Sequence, residues 1–152
     1  MPQPLVVFKA YATNTLFYTI RVWRTRKELR DHCHWVRLCR RTIGLCSTHV
    51  ITNYAKGKPK KSPDCGEINV CLPVTAELIA HELQHAILGL ARRRRWKLDA
   101  ETTETLVPQD SGEERTAEAY GRIFADTTNK LHRLGIWPTL DRRLQKNSKK
   151  KG

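Results

Sequence analysis

Two short runs near the start of the chain, residues 5–11 (LVVFKAY) and 15–23 (TLFYTIRVW), are rich in β-branched and aromatic residues. Only Ala12, Thr13 and Asn14 separate them, so they are expected to pair as a hairpin. Thr25 then stands where an N-cap would, before a helix expected over about residues 26–40 with Leu29, Cys33 and Val36 on one stripe and Gly44 as its stop. Residues 46–55 (CSTHVITNYA) alternate well enough for a strand. The basic, proline-containing stretch 55–66 reads as a loop, and residues 66–73 (GEINVCLP) read as a strand closed by Pro73.

The next segment changes period. Thr75 is a good N-cap, Glu77 sits in the first turn where the helix dipole favours an anion, and a helix is expected to about residue 91. Leu78 shares a face with His81 and His85, while Ile79, Leu83, Ala86, Ile87 and Leu90 fill the rest of the circumference. Such a helix must be covered on two sides, by a sheet behind and another helix in front. The front helix is expected over 113–134, after the turn Asp110-Ser111-Gly112, with Ala117, Tyr120, Ile123, Phe124, Leu131 and Leu134 as its stripe. Residues 92–111 read as an irregular polar connection. The chain is therefore expected to be α+β, a single domain over residues 1–140 followed by a basic, disordered tail, 141–152.

Composition narrows the setting. A length of 152 residues with 39% hydrophobic content suits one core rather than two. No run approaches the roughly 18 apolar residues of a membrane span, and no basic segment precedes the short apolar stretch at the N-terminus, so a cytoplasmic protein without membrane contact is expected. The five cysteines are odd in number and form no CxxC pair, which favours reduced thiols. A second metal site from His32, Cys33, His34 and Cys39 matches no standard finger spacing and fits a helix better. The net charge of +13 implies attraction to polyanions, giving non-specific nucleic-acid binding as an expected partner class. Its sign reverses between Asp99 and Glu118, where seven carboxylates face only Arg115.

The most specific pattern is His81-Glu82-Leu83-Gln84-His85, a His-Glu-x-x-His signature inside the second helix. Residues four apart lie one above the other, so His81 and His85 can aim nitrogens at one Zn2+ while Glu82 stands beside it as general base. The competing reading is a buried helix with two hydrogen-bonded histidines and a paired Glu82. A catalytic zinc takes three protein ligands and water, and the compact HExxHxxGxxH pattern fails because Gly89 comes one place late and Ala91 stands where the last histidine would fall.

HELQHAILG followed by EERTAEAYGRI resembles the gluzincin branch of zinc metallopeptidases. More narrowly, it looks like small metallopeptidase-like proteins of phages and mobile elements, over about residues 66–134. The resemblance implies a minimal zincin-like fold, a small sheet packed on the signature helix and on a second, ligand-bearing helix. It implies His81 and His85 as zinc ligands, Glu82 as base and a protein or peptide substrate. The third ligand is expected from the second helix: Glu114, with small Ala117 a turn below it, ahead of Glu113 and Glu118. Glu118 could instead orient a histidine. The strand at 66–73 would form the rim of the cleft. His49, Tyr54, Tyr120 and His132 are the remaining groups able to assist. A protein that keeps this scaffold and binds nucleic acid without hydrolysis is the alternative.

Overall fold

The computed structural model describes residues 2–34, 44–48, 52–55, 58–96 and 112–137. The N-terminal hairpin forms as expected, β1 (Val6–Tyr11) antiparallel to β2 (Phe17–Trp23). Thr25 caps α1 (Arg26–His32) in a full capping box: its side chain accepts from the Glu28 amide, and the Glu28 carboxylate accepts from the Thr25 amide. This helix is shorter than its pattern suggested. It closes at Cys33, and Gly44 opens the strand β3 (Gly44–Thr48) instead of ending a helix. Val36 and Cys39 lie outside the described residues.

Two further departures concern strands. The run expected as one strand over 46–55 contains parts of two, β3 and β4 (Thr52–Ala55), and the basic stretch expected as a loop contains β5 (Lys58–Lys61), antiparallel to β4. Pro59 is tolerated there, opposite Tyr54, because each strand of a two-stranded sheet has a free edge. The strand β6 (Asp64–Cys71) is then flanked on both sides, parallel to β2 and antiparallel to β3, giving the order β1-β2-β6-β3. At the β3–β6 pairing Gly66 has φ +141°, and a Cβ there would overlap the Ser47 carbonyl oxygen. Only glycine allows that approach.

Period-two alternation sorts β2 and β6 between the two faces of the sheet. Tyr18, Ile20 and Val22 with Ile68 and Val70 face the long helices α2 (Ala76–Arg94) and α3 (Gly112–Arg133), burying Ile79, Leu83, Ile87, Ile123 and Leu131. Each such side chain contributes about 1.5–3 kcal/mol on burial. Trp23 and Cys71 face the other way and pack with Leu29 and Cys33 of α1. On that face Trp23 Nε1 donates to Asn69 Oδ1 at 3.0 Å, and Glu67 holds Arg21 at 2.9 Å and His32 at 3.5 Å. The resulting arrangement is α+β, with a mixed sheet between α1 and the α2–α3 pair. No helix among the described residues is long and apolar enough to cross a membrane. The tail 141–152 and most of the connection between α2 and α3 lie outside the described residues.

Candidate metal centre

α2 begins where the sequence places it. The Thr75 hydroxyl accepts from the Leu78 amide at 3.2 Å, and the helix runs three residues beyond the expected end to a left-handed cap at Arg95, φ 55°. The buried arc carries Ile79, Leu83, Ala86, Ile87 and Leu90, leaving His81 and His85 on the exposed face. Their Nε2 atoms stand 3.2 Å apart, with the rings edge to face at 83°. Two nitrogens each about 2.0–2.1 Å from one tetrahedral zinc are separated by roughly 3.3 Å. The Nε2–Nε2 spacing as folded matches that of two histidines sharing one zinc, and it is also the spacing of a hydrogen bond between the two rings.

Glu82 lies on one flank of that face, only 6% exposed, where α2 meets the edge strand β3. A Cβ on Gly44 would stand 2.8 Å from Glu82 Cδ and 2.9 Å from Cγ, so the glycine's missing side chain is the space the carboxylate occupies. Burial pushes the Glu82 carboxyl above its ordinary range, and the neighbouring His81 opposes that shift. A carboxylate displaced upward toward neutrality is better matched to accept and return a proton near neutral pH. Nearby Cys46 is not a competing thiolate: burial pushes its thiol up to about 12, the Thr48 hydroxyl opposes this and the Glu82 charge adds to it.

β3 is held against α2 by a polar clasp. The Tyr18 hydroxyl donates to the Ala86 carbonyl at 2.7 Å and lies 3.1 Å from Thr48 Oγ1, and the Arg93 guanidinium donates to the Thr48 carbonyl. Neither the Gly44–Glu82 contact nor this clasp is predictable from spacing alone, because both depend on which strand lands beside α2. The rim strand also needs correcting. β6 has partners on both sides and its ladder groups are used, whereas β3 is the sheet's edge beside Glu82.

The other flank is open. Gln84, Ile87 and Leu88 of α2 face Glu113, Thr116, Ala117 and Tyr120 of α3 across a cleft of about 630 Å³. The Tyr120 hydroxyl donates to the Ala80 carbonyl at 3.4 Å. Later positions of α3 thus meet earlier positions of α2, so the helices run antiparallel. In that register position 118 falls at the axial level of Glu82 and position 114, one turn or about 6 Å away, at that of Ala86, so the two bracket the centre of the His81–His85 pair. Glu113, Glu114 and Glu118 are all exposed, and Ala117 lines the open cleft instead of sealing a close helix contact. The buried stripe of α3 is Ala119, Ile123, Thr127 and Leu131, while Leu134 is 49% exposed.

Among the described residues no three His, Cys, Asp or Glu side chains gather as a metal-ligand group, so the fold assembles the histidine pair and leaves the α3 carboxylates apart from it. Of the second site considered, Cys33 is buried and the His32 ring lies 4.7 Å from that of Trp23, inclined at 33°, while Cys39 lies outside the described residues. Of the four groups proposed to assist, Tyr120 is engaged with Ala80, His132 Nδ1 lies 3.2 Å from the Trp137 carbonyl oxygen, and His49 and the Tyr54 side chain lie outside the described residues. Comparison with protein-family models, with curated proteins and with solved structures finds no match for this chain.

Proposed function

We propose that the chain is a zinc-dependent endopeptidase, with His81 and His85 as two ligands and Glu82 as the general base. The observation that carries this reading is the 3.2 Å separation of the two Nε2 atoms, with a buried carboxylate on the same helix set against a glycine. A bound zinc would lower the pKa of water toward about 7 and polarise the scissile carbonyl. Glu82 then takes the proton of the attacking water and returns it to the departing amine. Its burial keeps the carboxylate out of bulk solvent and fixes its direction. Among the described residues β3 is the edge strand of the sheet, and its outer side offers backbone groups along which an extended peptide can lie beside Glu82.

The third ligand is proposed from the first two turns of α3. The sequence puts Glu114 first, and the antiparallel register favours Glu118, whose backbone position shares the axial level of the histidine pair. Glu113 faces the cleft. A turn of a side chain, or a small approach of α3, would complete the set on ion binding.

Metal analysis and hydrolysis of a mixed peptide library test the whole reading. The wild type is expected to hold about one zinc per chain. His81→Ala should lose it, whereas Glu82→Gln should keep zinc and fold while lowering turnover roughly 100-fold or more, since an amide cannot accept the proton. Zinc retained in His81→Ala, or unchanged turnover in Glu82→Gln, would reject the corresponding role. A scaffold that binds zinc and cleaves nothing in either form would support the second reading, a non-hydrolytic nucleic-acid-binding protein, which the net charge of +13 favours.

A further inference from the structure

A second cavity, of about 670 Å³, opens where the β1–β2 hairpin turns beside the last turn of α2. Its walls include Tyr11, Asn14, Thr15, Phe17, Pro63 and Arg94. Two aromatic rings form its corner: Tyr11 and Phe17 have centroids 5.7 Å apart and planes inclined at 55°. Both are half-buried at the mouth of a cavity and absent from the buried core. Cations surround the corner. Lys9 Nζ lies 4.4 Å from the Phe17 centroid and Lys130 Nζ 5.4 Å from that of Tyr11, and Arg122 donates to Asn14 Oδ1 at 2.6 Å. Two carboxylates belong to this side: Asp126, shared between Lys130 at 2.8 Å and the Tyr11 amide at 2.9 Å, and Asp64, which stands opposite Phe17 in the β2–β6 ladder.

We propose that this corner is a nucleotide subsite for single-stranded nucleic acid, in which a base stacks against Tyr11 and Phe17 while adjoining phosphates meet Arg94 and Lys9. Aromatic faces bind any unpaired base, and flanking cations track the backbone, which is the combination used for single strands. A duplex hides its base faces and carries its phosphates at higher linear density, so charge alone would favour the duplex. The short hairpin turn matters here: it brings the end of β1 and the start of β2 together, so the two rings share one corner. The inference stands apart from the peptidase reading, since none of these residues belongs to the metal centre.

Fluorescence anisotropy with labelled oligo-dT, oligo-U and a hairpin duplex of equal phosphate count, at about 0.15 M salt, tests it. Both single strands should bind more tightly than the duplex, and the difference between dT and U would assign the preferred sugar. Tyr11→Leu and Phe17→Leu, which keep apolar bulk without a ring, should each weaken single-strand binding roughly tenfold and leave the duplex unchanged. Arg94→Gln should lower the salt slope by about one for every ligand. Equal binding of single strand and duplex with indifferent Leu variants, or equally effective displacement by polyglutamate, would overturn the subsite and leave a general polyanion surface. If the Leu variants fail to fold, Tyr11→Trp decides: quenching of the added indole by oligo-dT supports stacking, and its absence overturns it.

Discussion

The two flanks of α2 are built on opposite terms. Toward β3, Glu82 is buried against Gly44, and the strand is pinned by Tyr18, Thr48 and Arg93. Toward α3 the helix looks into an open cleft, and the three glutamates of the facing helix are exposed. A general base gains from a fixed position, because proton transfer requires hydrogen-bond reach of the reacting water. A metal ligand does not need to be fixed in advance, since the ion's binding energy can order it. The contrast predicts that steric change on the closed flank damages chemistry while sparing metal, and that charge removal on the open flank does the reverse.

The sharpest way to break the closed flank is Gly44→Ala. The added Cβ needs the space of Glu82 Cδ and Cγ, so the carboxylate must swing away from its seat. Hydrolysis is expected to fall by roughly the 100-fold or more assigned to loss of the base, with zinc content and far-ultraviolet circular dichroism unchanged. Wild-type turnover in this variant would mean that Glu82 has no need of the pocket.

On the open flank, Glu113→Gln, Glu114→Gln and Glu118→Gln separate the α3 candidates. The true ligand should show a loss of zinc affinity of about 10- to 100-fold or more in a competitive chelator titration, and the register argues for position 118. A loss confined to Glu114→Gln would restore the order suggested by sequence. Three silent variants would place the third ligand off α3 and break the comparison between the flanks.

How far the sequence reaches follows the same division. Features set by local periodicity are readable: the hairpin, the capping of α1 and α2, the extents of α2 and α3 within a few residues, and the pairing of His81 with His85. Features set by which strand lies beside which helix are not. The resemblance assigns the rim to the strand at 66–73, yet its continuous buried run, Ile68, Asn69, Val70 and Cys71, is what a strand covered on both faces needs. Gly44 looked like a helix stop, since nothing local reveals that its bare Cα faces a carboxylate 38 positions along the chain. The stripe expected for α3 holds at Ile123 and Leu131 but not at Ala117, where Ala119, two positions on, is buried instead, because the pattern does not say how much of its face a cleft leaves uncovered.

The mildest perturbation tests whether the polar clasp supports the closed flank. Burial pushes the Tyr18 phenol above its ordinary range, so it remains a neutral donor across the working pH range and serves Ala86 and Thr48. Tyr18→Phe keeps the ring among Ile20, Ile68 and the α2 side chains but removes the hydroxyl, at an expected cost of about 1 kcal/mol in denaturant unfolding. If the clasp also aligns β3, hydrolysis should drop a few-fold, far less than in Gly44→Ala, because Gly44 remains paired with Val70 in the ladder. A stability loss with no change in turnover would assign Tyr18 to the core alone and leave the Gly44 contact as the sole support of the base. A fall in turnover matching Gly44→Ala would instead make the clasp, through its hold on Thr48, the determinant of where Glu82 sits.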